Sequence, residues 1–136
     1  MVDQKDSESS SIRRQPWDLV VSTIVHELTG LAFVGVVALV FWPFGWRPDP
    51  DFFLGMPAMF AIGPVSEVYR TGPPRRLAAV AFLLTAMSVA LLFGAIADWA
   101  FPALADQDIG IFAGLFVGAP VGAGVFAWLS NRANVA

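Results

Sequence analysis

Residues 77–97 and 109–129 of this chain each run for 21 positions without one charged side chain. A helix of that length reaches about 30 Å, the thickness of the hydrocarbon core of a bilayer. Lipid supplies no water to bond a bare backbone, so such a run folds as a helix, whose backbone bonds are all internal. The remainder of the chain suits the same solvent. Of its 136 residues 57% are hydrophobic and only 14% charged, where a soluble domain carries about 25% charged residues. The class that follows is an all-α integral membrane protein with one domain.

The second run carries a further constraint. It contains GIFAGLFVGAPVGAG, with glycine at 110, 114, 118 and 122. A spacing of four places Gly110, Gly114, Gly118 and Gly122 on one slowly drifting edge of a helix, where a second backbone can approach closely. Asp108 is the expected N-cap, and Pro120 removes one backbone donor and should bend the helix. The first run has its own small residues at a spacing of four, Ala86, Ala90 and Gly94. The short connection between the runs forces them antiparallel, which makes this stripe the expected partner of the glycine edge. The same edge could instead serve a homo-oligomer or a larger membrane complex.

Two more segments are apolar enough to matter. Pro16 suits the first turn of a helix that runs to Trp42, interrupted only by a few hydroxyls and by His26 and Glu27. Residues 52–68 are apolar up to Glu67, but their helix would be only about 25 Å long, and Pro57 and Pro64 would kink it. That segment reads as a short spanning helix or a re-entrant one. The expected organisation is a disordered cytoplasmic tail at 1–15, a compact four-helix transmembrane bundle within 16–130 (17–42, 52–68, 76–98 and 109–129), and a short cytoplasmic tail at 131–136.

Charge decides the number of spans. With four spans and an inside N-terminus, Lys5, Arg13, Arg14, Arg70, Arg75, Arg76 and Arg132 share the inner side, and only Arg47 lies outside, with Asp49, Asp51, Asp98, Asp106 and Asp108. With three spans the asymmetry reverses, so the positive-inside rule selects four. Trp17 and Trp128 then fall at the inner border and Trp42, Trp46 and Trp99 at the outer one, where indole rings prefer to sit. The expected location is the cell membrane, with the lipid bilayer as partner and both termini cytoplasmic.

Chemistry-bearing residues are few. Cysteine is absent, which removes disulfides, thiolate catalysis and cysteine metal sites. His26 is the single histidine and position 30 is glycine, so the zinc-protease spacing fails and no pair of histidines can hold a haem. The formal charge of −3 offers no basic surface to nucleic acid. No metal or cofactor is expected. An ionisable pair inside a spanning helix is costly and marks a candidate site, so His26 and Glu27 are the candidate proton or cation site, with the imidazole as a possible relay.

In outline (size, four helices, a glutamate in the first) the chain resembles the small multidrug resistance transporters. The motifs of that family do not extend to the rest of this sequence, and its arginine asymmetry departs from their weak bias, so no family is assigned and no residue role is carried over. Arginine in place of lysine, with acidic loops, points to a prokaryotic source of GC-rich or halophilic type. Two functions stand as expectations. The first is a non-enzymatic accessory or interaction protein that packs through the glycine edge. The alternative is a small proton- or cation-coupled transporter or channel using Glu27 with His26.

Overall fold

A computed structural model describes residues 16–71, 76–103 and 108–133; the expected disordered tail at 1–15 lies outside the described residues. Five α-helices follow in order: α1 (Pro16–Phe41), α2 (Pro50–Phe60), α3 (Ile62–Thr71), α4 (Arg76–Ala100) and α5 (Ile109–Ala133). A short 3₁₀ turn, Trp42–Phe44, follows α1. Four stretches are long and apolar enough to cross a membrane, because α2 and α3 together make one of them, Phe52–Arg70. The chain is thus all-helical, with a composition and helix lengths compatible with a multi-pass membrane protein.

The helix ends have local causes. Pro16 opens α1 and Asp18 lies in its first turn, beside the positive end of the helix dipole. The 3₁₀ turn closes on Gly45, which takes φ 83° while its N–H donates to the Trp42 carbonyl at 3.1 Å. Only glycine adopts that left-handed conformation without a penalty. The link into α2 is held by edge-to-face contacts of Trp46 with Phe41 and Phe52, ring centroids 6.1 and 5.5 Å apart. Asp108 stands where the N-cap was expected, and its carbonyl accepts from Phe112 N–H at 3.2 Å. Its φ is +51°, however, not the extended backbone of an ordinary N-cap. Aspartate is among the few residues that tolerate this region. At the far end α5 continues through Ala133, so the helix takes in the first part of the expected 131–136 tail.

The second apolar stretch is interrupted at the prolines: α2 and α3 meet at Ala61, which keeps helical backbone angles (φ −62°, ψ −24°) and whose N–H reaches the Pro57 carbonyl at 3.3 Å. Two prolines account for the break. Pro57 cannot bond to the carbonyl of residue 53, and Pro64 cannot bond to that of Phe60, so the helical ladder loses two rungs within two turns.

Helix α5 is the centre of the arrangement. It packs against α4 along its length and meets α1 and α2 on its other sides, while α4 has little contact with any helix but α5. The layout is therefore an α5-centred cluster and not a four-sided bundle. A methyl group placed on Gly114 would lie 2.6 Å from Ala90 Cα, and one on Gly118 would lie 2.7 Å from the Ala86 carbonyl oxygen. One on Gly110 would collide with Ala97 and one on Gly122 with the Phe82 ring. The glycine edge of α5 thus lies on the Ala86, Ala90 and Gly94 side of α4, backbone against backbone. Toward the start of α4, Ala78 and Phe82 join Leu19, Val65, Ala123, Phe126 and Ala127 in one buried cluster.

Candidate functional site

The buried residues of α1 are Leu19, Thr23, Glu27, Gly30, Val34 and Ala38. Their spacing of three and four residues defines a single inward face. Glu27 lies about 16 Å along the axis from Pro16, near the middle of the helix, and is 1% exposed. Two contacts fix what this face meets. Below Glu27, Val20 approaches Gly124 of α5, 3.3 Å from where its Cβ would be. Above it, a methyl group on Gly30 would lie 2.9 Å from the Phe60 ring and 3.1 Å from Pro57 Cα. The carboxyl therefore sits inside the cluster, between α1, α5 and the broken second span.

The polar atoms on this face have been dealt with unevenly. Thr23 is fully buried and its hydroxyl donates to the Leu19 carbonyl at 2.8 Å, which satisfies its proton within its own helix. Thr29, exposed and off this face, donates in the same manner to the Val25 carbonyl at 2.7 Å. Glu27 Oε1 has no hydrogen-bond partner among the described residues. An ionisable side chain at the centre of a spanning helix costs on the order of 3 kcal/mol, while a typical hydrogen bond returns about 1 kcal/mol. Stability alone gives no reason to keep this carboxyl.

The turn of α1 that holds Glu27 lies beside the junction of α2 and α3. His26 Cδ2 comes within 4.0 Å of the Cβ position of Gly63, and Gly30 touches Pro57 and Phe60. The turn of α1 that holds Glu27 is thereby bracketed against residues 57–63. Ala61, at the break, is 0% exposed.

The sequence pairs His26 with Glu27, but neighbours on a helix point about 100° apart. His26 is exposed on α1, with Nδ1 2.8 Å from the Ser22 carbonyl, which places the ring proton on Nδ1. The imidazole is thus bonded within its own helix and exposed, with Cδ2 toward Gly63 of α3, while the carboxyl is buried. Sequence reasoning missed the other members of the site, Thr23 and the break at Ala61. The i, i+4 spacing of Thr23 and Glu27 and the paired prolines were the available signals. A second buried polar atom, Ser130 Oγ, also lacks a partner among the described residues, but belongs to the last turns of α5. Among the described residues no group of three metal-binding side chains occurs.

Elsewhere, Glu67 is exposed on α3. The arginines at the two ends stack on tryptophan, Arg132 at 3.9 Å from the Trp128 ring centroid and Arg47 at 5.1 Å from that of Trp42. A laterally open cavity of about 510 Å³ lies between α2 and α5, walled by Phe52, Met56, Met59, Ile62, Phe112 and Leu115. Comparison with protein-family models, curated proteins and solved structures gives no match for this chain.

Proposed function

We propose that this chain is a small, non-enzymatic, multi-pass protein of the cell membrane that binds and releases a proton or cation at Glu27, as part of an ion-coupled transport or channel activity. One observation carries the reading: the carboxyl is buried at mid-helix with an unpartnered oxygen, on a turn of α1 seated beside the junction of α2 and α3. Helix breaks at membrane depth are tolerated where they line a site, and their free backbone groups serve ions there. The glycine edge, which spoke for an interaction protein, is occupied by α4 of the same chain. In proteoliposomes the parent is expected to carry ion flux down an imposed pH or sodium gradient, and Glu27→Gln, equal in shape, is expected to reduce it at least tenfold with unchanged folding. Equal flux from both proteins rejects the reading.

A second reading, the accessory protein, is supported by the outward faces of α1 and α4, where Leu28, Val36, Leu39, Leu83, Leu84 and Leu91 are all exposed. Lipid or a larger membrane complex could cover them. Under that reading the parent and Glu27→Gln alike show flux at the empty-liposome level, and a partner or a homo-oligomer persists in mild detergent.

The orientation proposed with either reading has both termini in the cytoplasm, on the strength of the arginine asymmetry. The chain has no cysteine, so single introduced ones report cleanly. Ala100 and Asn131 are exposed at opposite ends of the molecule. In intact cells a membrane-impermeant thiol reagent is expected to label Ala100→Cys and spare Asn131→Cys. The reverse pattern inverts the topology.

A further inference from the structure

The open cavity between α2 and α5 takes no wall from α1 and plays no part in the chemistry of Glu27. Phe52, Met56, Met59 and Ile62 form one side of it, and Phe112 and Leu115 of α5 the other. Positions 52, 56, 59 and 62 follow one face of a helix. The two helices touch beside it, where the Cβ position of Gly55 is 3.1 Å from the Phe112 ring. Every residue that lines the cavity is apolar except one, Asp49.

Asp49 is the N-cap of α2. An aspartate in that place ordinarily accepts from a first-turn N–H with its carboxylate. Here the Asp49 carbonyl accepts from Phe52 N–H at 3.0 Å, while the side chain makes no cap bond. The residue is exposed, so its negative charge stands at one end of an apolar cavity. Trp46, edge-to-face with Phe52 at 5.5 Å between centroids, puts that end where indole rings gather, at headgroup level.

Dimensions select the kind of occupant. From Asp49 to Ile62 the wall runs about 20 Å at 1.5 Å per residue, a little more than one leaflet of a hydrocarbon core about 30 Å thick. The volume of about 510 Å³ is that of a site for one small ligand. A helix about 10 Å across would need roughly three times as much over that length, so a single flexible chain fits and a helix does not. Met59 and Ile62 are 67% and 46% exposed, which opens the cavity sideways, on the surface that lipid covers in a spanning bundle. The thioethers of Met56 and Met59 adapt to an irregular chain. Charge selects the head. An anionic lipid would bring a like charge to Asp49, whereas a primary ammonium brings the opposite charge and three N–H donors.

We propose that the cavity between α2 and α5 is a lipid site, which holds one acyl chain of phosphatidylethanolamine with its ammonium group on the Asp49 carboxylate. The proposal stands on the membrane reading of the chain and is independent of ion binding at Glu27.

Two measurements on the purified full-length protein in detergent test it. Native mass spectrometry compares phosphatidylethanolamine with phosphatidylglycerol of the same chains. Phosphatidylethanolamine with a photoactivatable diazirine in its chain then reports where that chain lies. The parent is expected to retain one phosphatidylethanolamine at least fivefold more tightly than phosphatidylglycerol, and to crosslink at Met56, Met59 or Leu115. Asp49→Asn is expected to erase the preference, and Asp49→Arg to turn it toward phosphatidylglycerol. Ala58 also lines the cavity, and Ala58→Phe, which fills it, is expected to lose the crosslinks. The Asp49 variants lie at an exposed position and keep the test decisive if Ala58→Phe fails to fold. Equal retention of the two lipids by the parent overturns the assigned head. Crosslinks spread over the outward faces of α1 and α4 overturn the cavity as the seat of the chain. A parent that retains no lipid but forms a dimer, lost in Ala58→Phe, gives the cavity to a second copy and overturns the lipid site.

Discussion

Gly118→Leu is expected to separate α4 from α5, and Gly114→Leu to do the same. A first side-chain carbon on Gly118 already meets the Ala86 carbonyl at 2.7 Å, and one on Gly114 meets Ala90 Cα at 2.6 Å. In both cases the obstacle is backbone, which cannot rotate aside as a side chain can. The helices must move apart by the thickness of the new group, and the dispersion contacts along the whole interface are lost with the close approach. Overpacking of this kind costs about 3 kcal/mol or more. Because α4 depends on α5 for nearly all its packing, the expected readout is loss of cooperative melting in detergent or failure to accumulate in the membrane. Leu115→Ala is the control. Leu115 walls the open cavity between α2 and α5, so its truncation widens a space already open, at a cost of about 1 kcal/mol or less. If the glycine variants melt like the parent, α4 does not sit on that edge. If they stay folded but lose an oligomer, the edge joins copies of the chain.

The α4–α5 relation could be read in the sequence because it depends on two simple regularities, a spacing of four in each run and a connection too short for anything but antiparallel packing. Neither depends on the rest of the molecule. The break at Ala61 is of another kind. Pro57 and Pro64 say that rungs of the ladder are missing there, but whether the span bends or parts depends on what its neighbours support at that height. Gly30 gives the reason: with no side chain, it lets Pro57 and the Phe60 ring come up against α1. A similar limit applies to the candidate site. Glu27 stands out in the sequence as a charge inside an apolar run, with His26 beside it. The helical turn leaves the imidazole exposed, with Cδ2 4.0 Å from the Cβ position of Gly63, and puts Thr23, four residues away and in sequence one more weakly polar group in an apolar helix, on the buried face with Glu27. Side-chain direction, and not proximity along the chain, selects the members of the site.

That dependence leads to the second large effect. Gly30→Leu is expected to destabilise the protein by about 3 kcal/mol and to reduce the Glu27-dependent ion flux, although residue 30 binds nothing itself. The added side chain would enter the space held by the Phe60 ring and the Pro57 backbone, at 2.9 and 3.1 Å from its first carbon. The ring could swing away, but Pro57 Cα cannot. The helix α1 would then be levered off the second span at the turn next to Glu27, opening the corner between the carboxyl and the break. Gly35→Leu supplies the comparison within the same helix. Nothing lies within 4 Å of the Cβ position at Gly35, so there the substitution meets no neighbour at its first carbon. Both substitutions replace glycine by leucine in a helix interior and gain about the same helix propensity, somewhat under 1 kcal/mol. Subtracting one from the other cancels that gain and leaves the cost of the contact. Thermal unfolding of the two variants measures it, with ion flux in proteoliposomes beside it. Gly35→Leu should melt at or above the parent and keep its flux, while Gly30→Leu should melt far lower and show little. Equal melting of the two variants would mean that α1 is not seated on Pro57 and Phe60, and the turn that holds Glu27 would then not lie beside the junction of α2 and α3.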